Sequence, residues 1–142
     1  MTMQLVTGTS NDEGGKMIGF WVSQMMKKTV HPPFTAMGWL RGNSLVGAAI
    51  FNDFTGSNIE VTIYGPGAMT KQSLGEGFRY VFGSLGCNRL TGKCKRSNVR
   101  MRRLFPKIGF HFEGTMAKYF GPNRADDALV FRAYRENIER FL

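Results

Sequence analysis

Apolar positions change period several times along this chain, and each change marks an element. Met17, Ile18, Trp21, Met25 and Met26 recur near helical spacing. Ser10-Asn11-Asp12-Glu13 before them has the Ser-x-x-Glu form of a capping box, and Lys27 and Lys28 stand in the expected last turn, where the helix dipole favours cations. The spacing predicts an amphipathic first helix with its Met and aromatic stripe in the core, weakened by Gly14, Gly15 and Gly19. Pro32 and Pro33 then break the chain. "FTAMGWL" and "LVGAAIF" read as two strands joined by Arg41-Gly42-Asn43-Ser44, a hairpin turn with residues suited to positive φ. After Thr55-Gly56-Ser57, "NIEVTIY" alternates, with Ile59, Val61 and Ile63 on one side and Glu60, Thr62 and Tyr64 on the other.

Beyond Gly65-Pro66-Gly67 a second helix is predicted from about Thr70 to Leu85, with Leu74, Phe78, Val81, Phe82 and Leu85 at core spacing. "NRLTGKC" is the next strand. Ser97 is the expected N-cap of a third helix that begins at Asn98 and ends near Phe105, because Pro106 disfavours helical geometry before it and Gly109 follows. "GFHFEG" and "ALVFRAY" are two further strands, and a short amphipathic turn of helix ends the pattern. The predicted order is helix, three strands, helix, strand, helix, two strands. That is a mixed α/β sheet with helical cover, expected as one domain over residues 1–142.

Composition fits a folded core: 42% of the 142 residues are hydrophobic and 20% are charged. The formal net charge of +9 and a sequence pI near 10.0 add something new. They favour an anionic partner, whether nucleic acid, an acidic membrane surface or a phosphorylated ligand. Two cysteines, Cys87 and Cys94, are too few and wrongly spaced for a zinc site or a disulfide framework, so a reducing cytoplasm is the expected compartment. The apolar run from Met17 to Met26 is short, interrupted by Ser23 and Gln24, and followed rather than preceded by its basic residues. It predicts neither a membrane span nor a secretory signal, and the protein is expected to be soluble.

Much of the charge lies in "KCKRSNVRMRRLFPKIGF", Lys93 to Phe110, which holds seven Lys or Arg and no acid. Lys93 and Lys95 share one strand face and Arg96 sits at the strand end. Arg100 and Arg103 are three apart on the following helix, with Arg102 displaced. The run reads either as a nucleic-acid surface, through Lys93, Lys95, Arg96, Arg100 and Arg102, or as the flank of a phosphate-bearing cofactor. No helix-turn-helix spacing, zinc finger or RNP motif accompanies it.

The same stretch carries a family resemblance. "SNVRMRRLFPKIGFHFEG" resembles the segment N-x-x-A-x-x-L-Y-x-K-L-G-F-x-x-E-G of the GNAT superfamily of acyl-CoA-dependent N-acyltransferases. Asn98, Leu104, Lys107, Gly109, Phe110, Glu113 and Gly114 match it, with Met101 in place of the small residue and Ile108 in place of Leu. The likeness covers roughly Phe34 to Leu142, and the small size and the "TAMGWLRGNSLVGAAIF" hairpin look like compact members carried by phages and prophages. It implies a mixed, mostly antiparallel sheet with a central, splayed parallel strand pair and helices on both faces. It also implies acetyl-CoA or another acyl-CoA as cofactor, lying in the gap between Glu60–Tyr64 and Arg89–Lys95.

On that resemblance, the backbone of Val61 and Ile63 pairs with pantetheine. The loop "PGAMTK" presents the amides of Gly67, Ala68, Met69, Thr70 and Lys71 to pyrophosphate, while Asn98 and Arg103 also contact the cofactor. Two departures stand out. Met69 and Lys71 occupy positions the family keeps small, and Phe105 stands where many relatives have the tyrosine that protonates the leaving thiolate. Tyr119 or a water is the substitute acid. Glu60 reads either as the base that takes a proton from the acceptor ammonium or as a solvent-facing strand glutamate. His31 and His111 read as surface and structural residues. The acceptor is expected to be an amine held by the first helix, the loop from His31 to Phe34 and the last strands. The alternatives are a nucleic-acid modifier similar to the Mom-type DNA-modifying enzymes, or a degenerate GNAT scaffold that only binds.

Overall fold

In the computed structural model, which describes residues 2–142, seven strands form a single sheet. They are β1 (Gln4–Thr9), β2 (Thr35–Arg41), β3 (Ser44–Asn52), β4 (Asn58–Tyr64), β5 (Arg89–Lys95), β6 (His111–Met116) and β7 (Ala128–Tyr134). The order across the sheet is β1-β2-β3-β4-β5-β7-β6, and β4–β5 is the parallel pair among antiparallel neighbours. Three helices cover it: α1 (Glu13–Met26), α2 (Lys71–Phe78) and α3 (Val99–Ile108).

Strand alternation sorts the core into two layers. Ala36, Ala48 and Ile50 face α1 and pack with its Ile18 and Val22 and with Phe34. Met37, Trp39, Ala49, Phe51, Ile59 and Val61 point the other way, where α2 supplies Leu74 and Phe78 and α3 supplies Phe105 and Ile108. Helices therefore lie on both faces, as expected. Trp39 is buried, and its indole Nε1–H donates to Glu76 Oε1 on α2 at 2.9 Å, which satisfies the one polar atom this side chain takes into the core.

The structure corrects three local expectations. First, "QLVTGT" forms β1, an edge strand paired with β2 from Gln4↔Leu40 to Thr9↔Thr35. Second, α1 is capped by Asp12, whose Oδ1 accepts from Gly15 N–H at 2.8 Å; Ser10 Oγ instead accepts from Phe34 N–H at 3.2 Å. The helix closes at Lys27, in the left-handed region with φ 52°, so Lys27 and Lys28 lie beyond its last turn. Third, Asn98, not Ser97, caps α3, with Oδ1 accepting from Met101 N–H at 3.2 Å. α3 runs through Pro106 to Ile108. Proline removes one backbone donor there, but burial of Phe105 and Ile108 outweighs that loss, and Gly109 at φ 113° forms the left-handed cap.

The second predicted helix keeps its extent with a change of winding. Thr70 and Ser73 form a reciprocal capping box, α2 runs to Phe78, and a π-type turn over Arg79–Ser84 carries the chain to Leu85.

Candidate active site at a splayed strand pair

β4 and β5 pair from Asn58↔Arg89 to Val61↔Gly92 and then part. Beyond that point each is held by its other neighbour: β4 stays on β3 as far as Tyr64↔Ala48, and β5 stays on β7 as far as Lys95↔Ala128. Loyalty to opposite neighbours in a twisted sheet is what opens the gap. A cleft of about 720 Å³ fills it, walled by Val61–Pro66, Lys93–Lys95, α1 and the first turns of α3.

A tight turn closes one end. Gly65 (φ 87°) leads into a 3₁₀ turn over Pro66–Met69, pressed against β3. Val46 is the extra residue of a bulge there, since Trp39 pairs with Gly47 while Leu40 pairs with Leu45. Of the amides proposed for pyrophosphate, Ala68 N–H donates to Gly65 O at 3.1 Å and Thr70 N–H to Ser73 Oγ at 3.0 Å. Gly67 and Ala68 are buried and shape the turn. Among the described residues the Lys71 and Gln72 amides, in the first turn of α2, have no partner. Gln72 was missed by sequence reading; the signal for it was the N-cap at Thr70, which makes the next residues the orphan donors of a helix. Its side chain anchors that turn, with Nε2 donating to Met3 O at 3.0 Å.

Val61 sits buried where the strands part, and Ile63, half-buried, lies in the wall of the gap. Glu60 projects to the α1 face and pairs with Lys93 on β5. Burial pushes its carboxyl above the usual range and nearby Asp53 adds to this, while Lys93 opposes it. Burial also acts against the Lys93 charge, but Glu60 outweighs it and the ammonium is held more firmly than usual. Lys93 Nζ lies 4.8 Å from the centre of the Tyr119 ring. Tyr119 thus reaches the Glu60–Lys93 pair, while Phe120, beside it in sequence, lines the cleft. Asn98 lines it as well as capping α3. Arg103 is exposed and outside the lining, where Arg100 stands instead. His31 and His111 are both exposed and do not line the cleft.

Most of the basic run is already answered within the fold. Arg96 bonds Asp127 at 3.3 Å, Arg102 donates to Arg96 O at 3.0 Å, and Lys95 lies 3.8 Å from Asp126. With Lys93 on Glu60, only Arg100 of the five proposed nucleic-acid contacts has no partner among the described residues.

Phe105 is 1% exposed and stacks on Phe131 with ring centres 4.9 Å apart. It lies flat on Gly92, where an added Cβ would meet the ring carbons Cε1 and Cζ at 2.7 Å. Phe105 also reaches the lining of the cleft.

No protein-family model matches the sequence, and comparison with curated proteins finds no match. Solved structures do match. A point mutant of the Vibrio cholerae spermidine N-acetyltransferase SpeG superposes with TM-score 0.72 at 12% identity, over 96% of this chain and 98% of that one. A chimera of the Vibrio cholerae enzyme and hSSAT gives 0.70 at 13% identity, over 94% and 97%. A Bacillus subtilis acetyltransferase in complex with CoA gives 0.67 at 12% identity, over 94% and 99%. With the seven-stranded order, the parted β4–β5 pair and the turn before α2, these likenesses identify the architecture: the chain has the GNAT acetyltransferase fold.

Proposed function

We propose that this protein is an N-acyltransferase that moves an acetyl or related acyl group from acyl-CoA to an amine by direct attack. The observation that carries the reading is the parting of β4 and β5 beyond Val61 and Gly92, beside two unpartnered amides at the start of α2. An extended chain with amides of its own, as pantetheine has, fits the open edge of β4 as a surrogate strand. Lys71 and Gln72 N–H groups, with the α2 dipole behind them, suit a pyrophosphate. Met69, Met101 and Leu104 give the cleft an apolar wall. Acyl-CoA would supply a thioester whose carbonyl carbon bonds to the amine nitrogen as the carbon–sulfur bond breaks.

The residues of this chain then have distinct tasks. Glu60 takes a proton from the acceptor ammonium, directly or through water, and its raised pKa makes it a stronger base than an ordinary glutamate. Lys93 holds that carboxylate beside the point where the strands part. The thiolate leaves with a proton from water or from Tyr119. Fold neighbours that act on spermidine and one that holds CoA agree with an amine acceptor and a CoA donor.

Calorimetry with CoA and acetyl-CoA tests the reading. Binding in the range of about 1 μM to 1 mM is expected. Lys71→Pro removes one amide at a helix position where proline is tolerated, so binding should weaken about tenfold or more with little change in melting temperature. No heat and no thermal shift at millimolar acetyl-CoA would refute it.

A further inference from the structure

The α1 side of the cleft has a charge pattern that bears on the acceptor. Its wall combines the apolar surfaces of Trp21, Met25, Tyr64 and Phe120 with four lysines, Lys27, Lys28, Lys93 and Lys95. Trp21 and Tyr64 meet edge to face at 5.5 Å, and Lys28 Nζ lies 5.8 Å from the Phe120 ring centre. Among the described residues no carboxylate lines the cleft itself, and Glu60 borders it through its contact with Lys93. The nearby acids are engaged, Glu60 on Lys93 and Asp126 on Lys95 at 3.8 Å, while Lys27 and Lys28 have no carboxylate partner among the described residues. Lys28 is close enough to Glu60 and Lys95 to feel both, and loss of hydration lowers its pKa.

We propose that the acceptor is an α-amino acid with a large apolar side chain, its carboxylate held by Lys28 and Lys95, its side chain against Trp21 and Tyr64, and its amino group turned to Glu60. The inference rests on the acyltransferase reading and gives that site its substrate class. An α-amino acid carries its acid one carbon from its amine, which suits a carboxylate base and a lysine pair that share one mouth. The apolar side chain suits the aromatic wall. A polyamine would set further ammonium groups among lysines, and repulsion would disfavour it.

The experiment follows CoA thiol release from acetyl-CoA with phenylalanine, methionine and leucine, with phenylalaninamide and with spermidine. The free acids are expected to exceed the amide about tenfold or more in kcat/KM. Lys28→Glu combined with Lys95→Glu should bring the acid-to-amide ratio to one or below, with CoA calorimetry as the control for folding. Three results would overturn the inference: an amide or spermidine preferred by the wild type, an unchanged ratio in the charge-reversed variant, or CoA binding without acylation of any amino acid. Absence of CoA binding in the wild type would remove the acyltransferase reading itself, and the inference with it.

Discussion

Glu60→Gln is expected to lower acyl transfer by about 10²-fold or more. Glutamine keeps the size of the side chain and loses only its basicity, so the change reads chemistry and not packing. The pH profile makes the test sharper. The base must be ionised, so kcat/KM should rise with pH through the Glu60 pKa, and burial places that limb above the ordinary glutamate value of 4.5. Lys93 opposes the rise, so Lys93→Met should move the limb further up. Asp53 adds to it, so Asp53→Asn should move it down. A Glu60→Gln enzyme with the wild-type rate and the wild-type acid limb would return Glu60 to the role of a solvent-facing strand residue.

The second large effect is on folding. Gly47→Ala would place a methyl carbon 2.2 Å from Ala68 N and 2.5 Å from the Gly67 carbonyl carbon. Both are backbone atoms of the turn that precedes α2, and neither can swing aside as a side chain does. The turn or β3 must shift, at an expected cost of about 3 kcal/mol or more. For a chain of this size that lowers the melting temperature by about 10 °C. CoA affinity should fall too, because the same turn sets the start of α2. Gly83→Ala is the control: nothing lies within 4 Å of its added Cβ, and it should be neutral or slightly stabilising. Equal stability of the two variants would show that the turn does not press on β3 as described.

Where apolar periodicity was strong, reading the chain placed the elements well: β2 to β5, the span from Thr70 to Leu85, and the last two strands. β1 escaped because an edge strand with Gly8 and alternate exposed threonines leaves little pattern to read. The caps at Asp12 and Asn98 each had a rival cap former nearby, and tertiary contacts decided between them. Ser10 was taken by the Phe34 amide, and Asn98 was left to close α3. Pro106 argued locally for a helix end, but Ile108 had a place in the core. The site was partly readable. The parted strands followed from the family resemblance, whereas the partners of the basic run did not. Glu60, Asp126 and Asp127 lie far in sequence from the cations they hold, so a local charge count overstated what is free to bind a polynucleotide.

The four residue pairs that join β4 to β5 divide the sheet into two leaves. One leaf is β1 to β4, whose outer half is stiffened by α1 and by the turn before α2; the other is β5, β7 and β6 with α3. Near the seam the leaves are tied by Thr91 Oγ1 donating to Asn58 Oδ1 at 2.6 Å, by Asn88 Nδ2 donating to Ser57 Oγ at 2.9 Å, and by the Glu60–Lys93 pair. These ties gather at one end, which makes that end a hinge and the cleft its open side. The two leaves share one core, in which Trp39, Ile59 and Val61 pack with Leu90, Phe105 and Phe131, so that packing sets the width of the gap together with these polar ties. A strand-like ligand laid between the leaves would carry the pairing onward from the Glu60–Lys93 end along the open side.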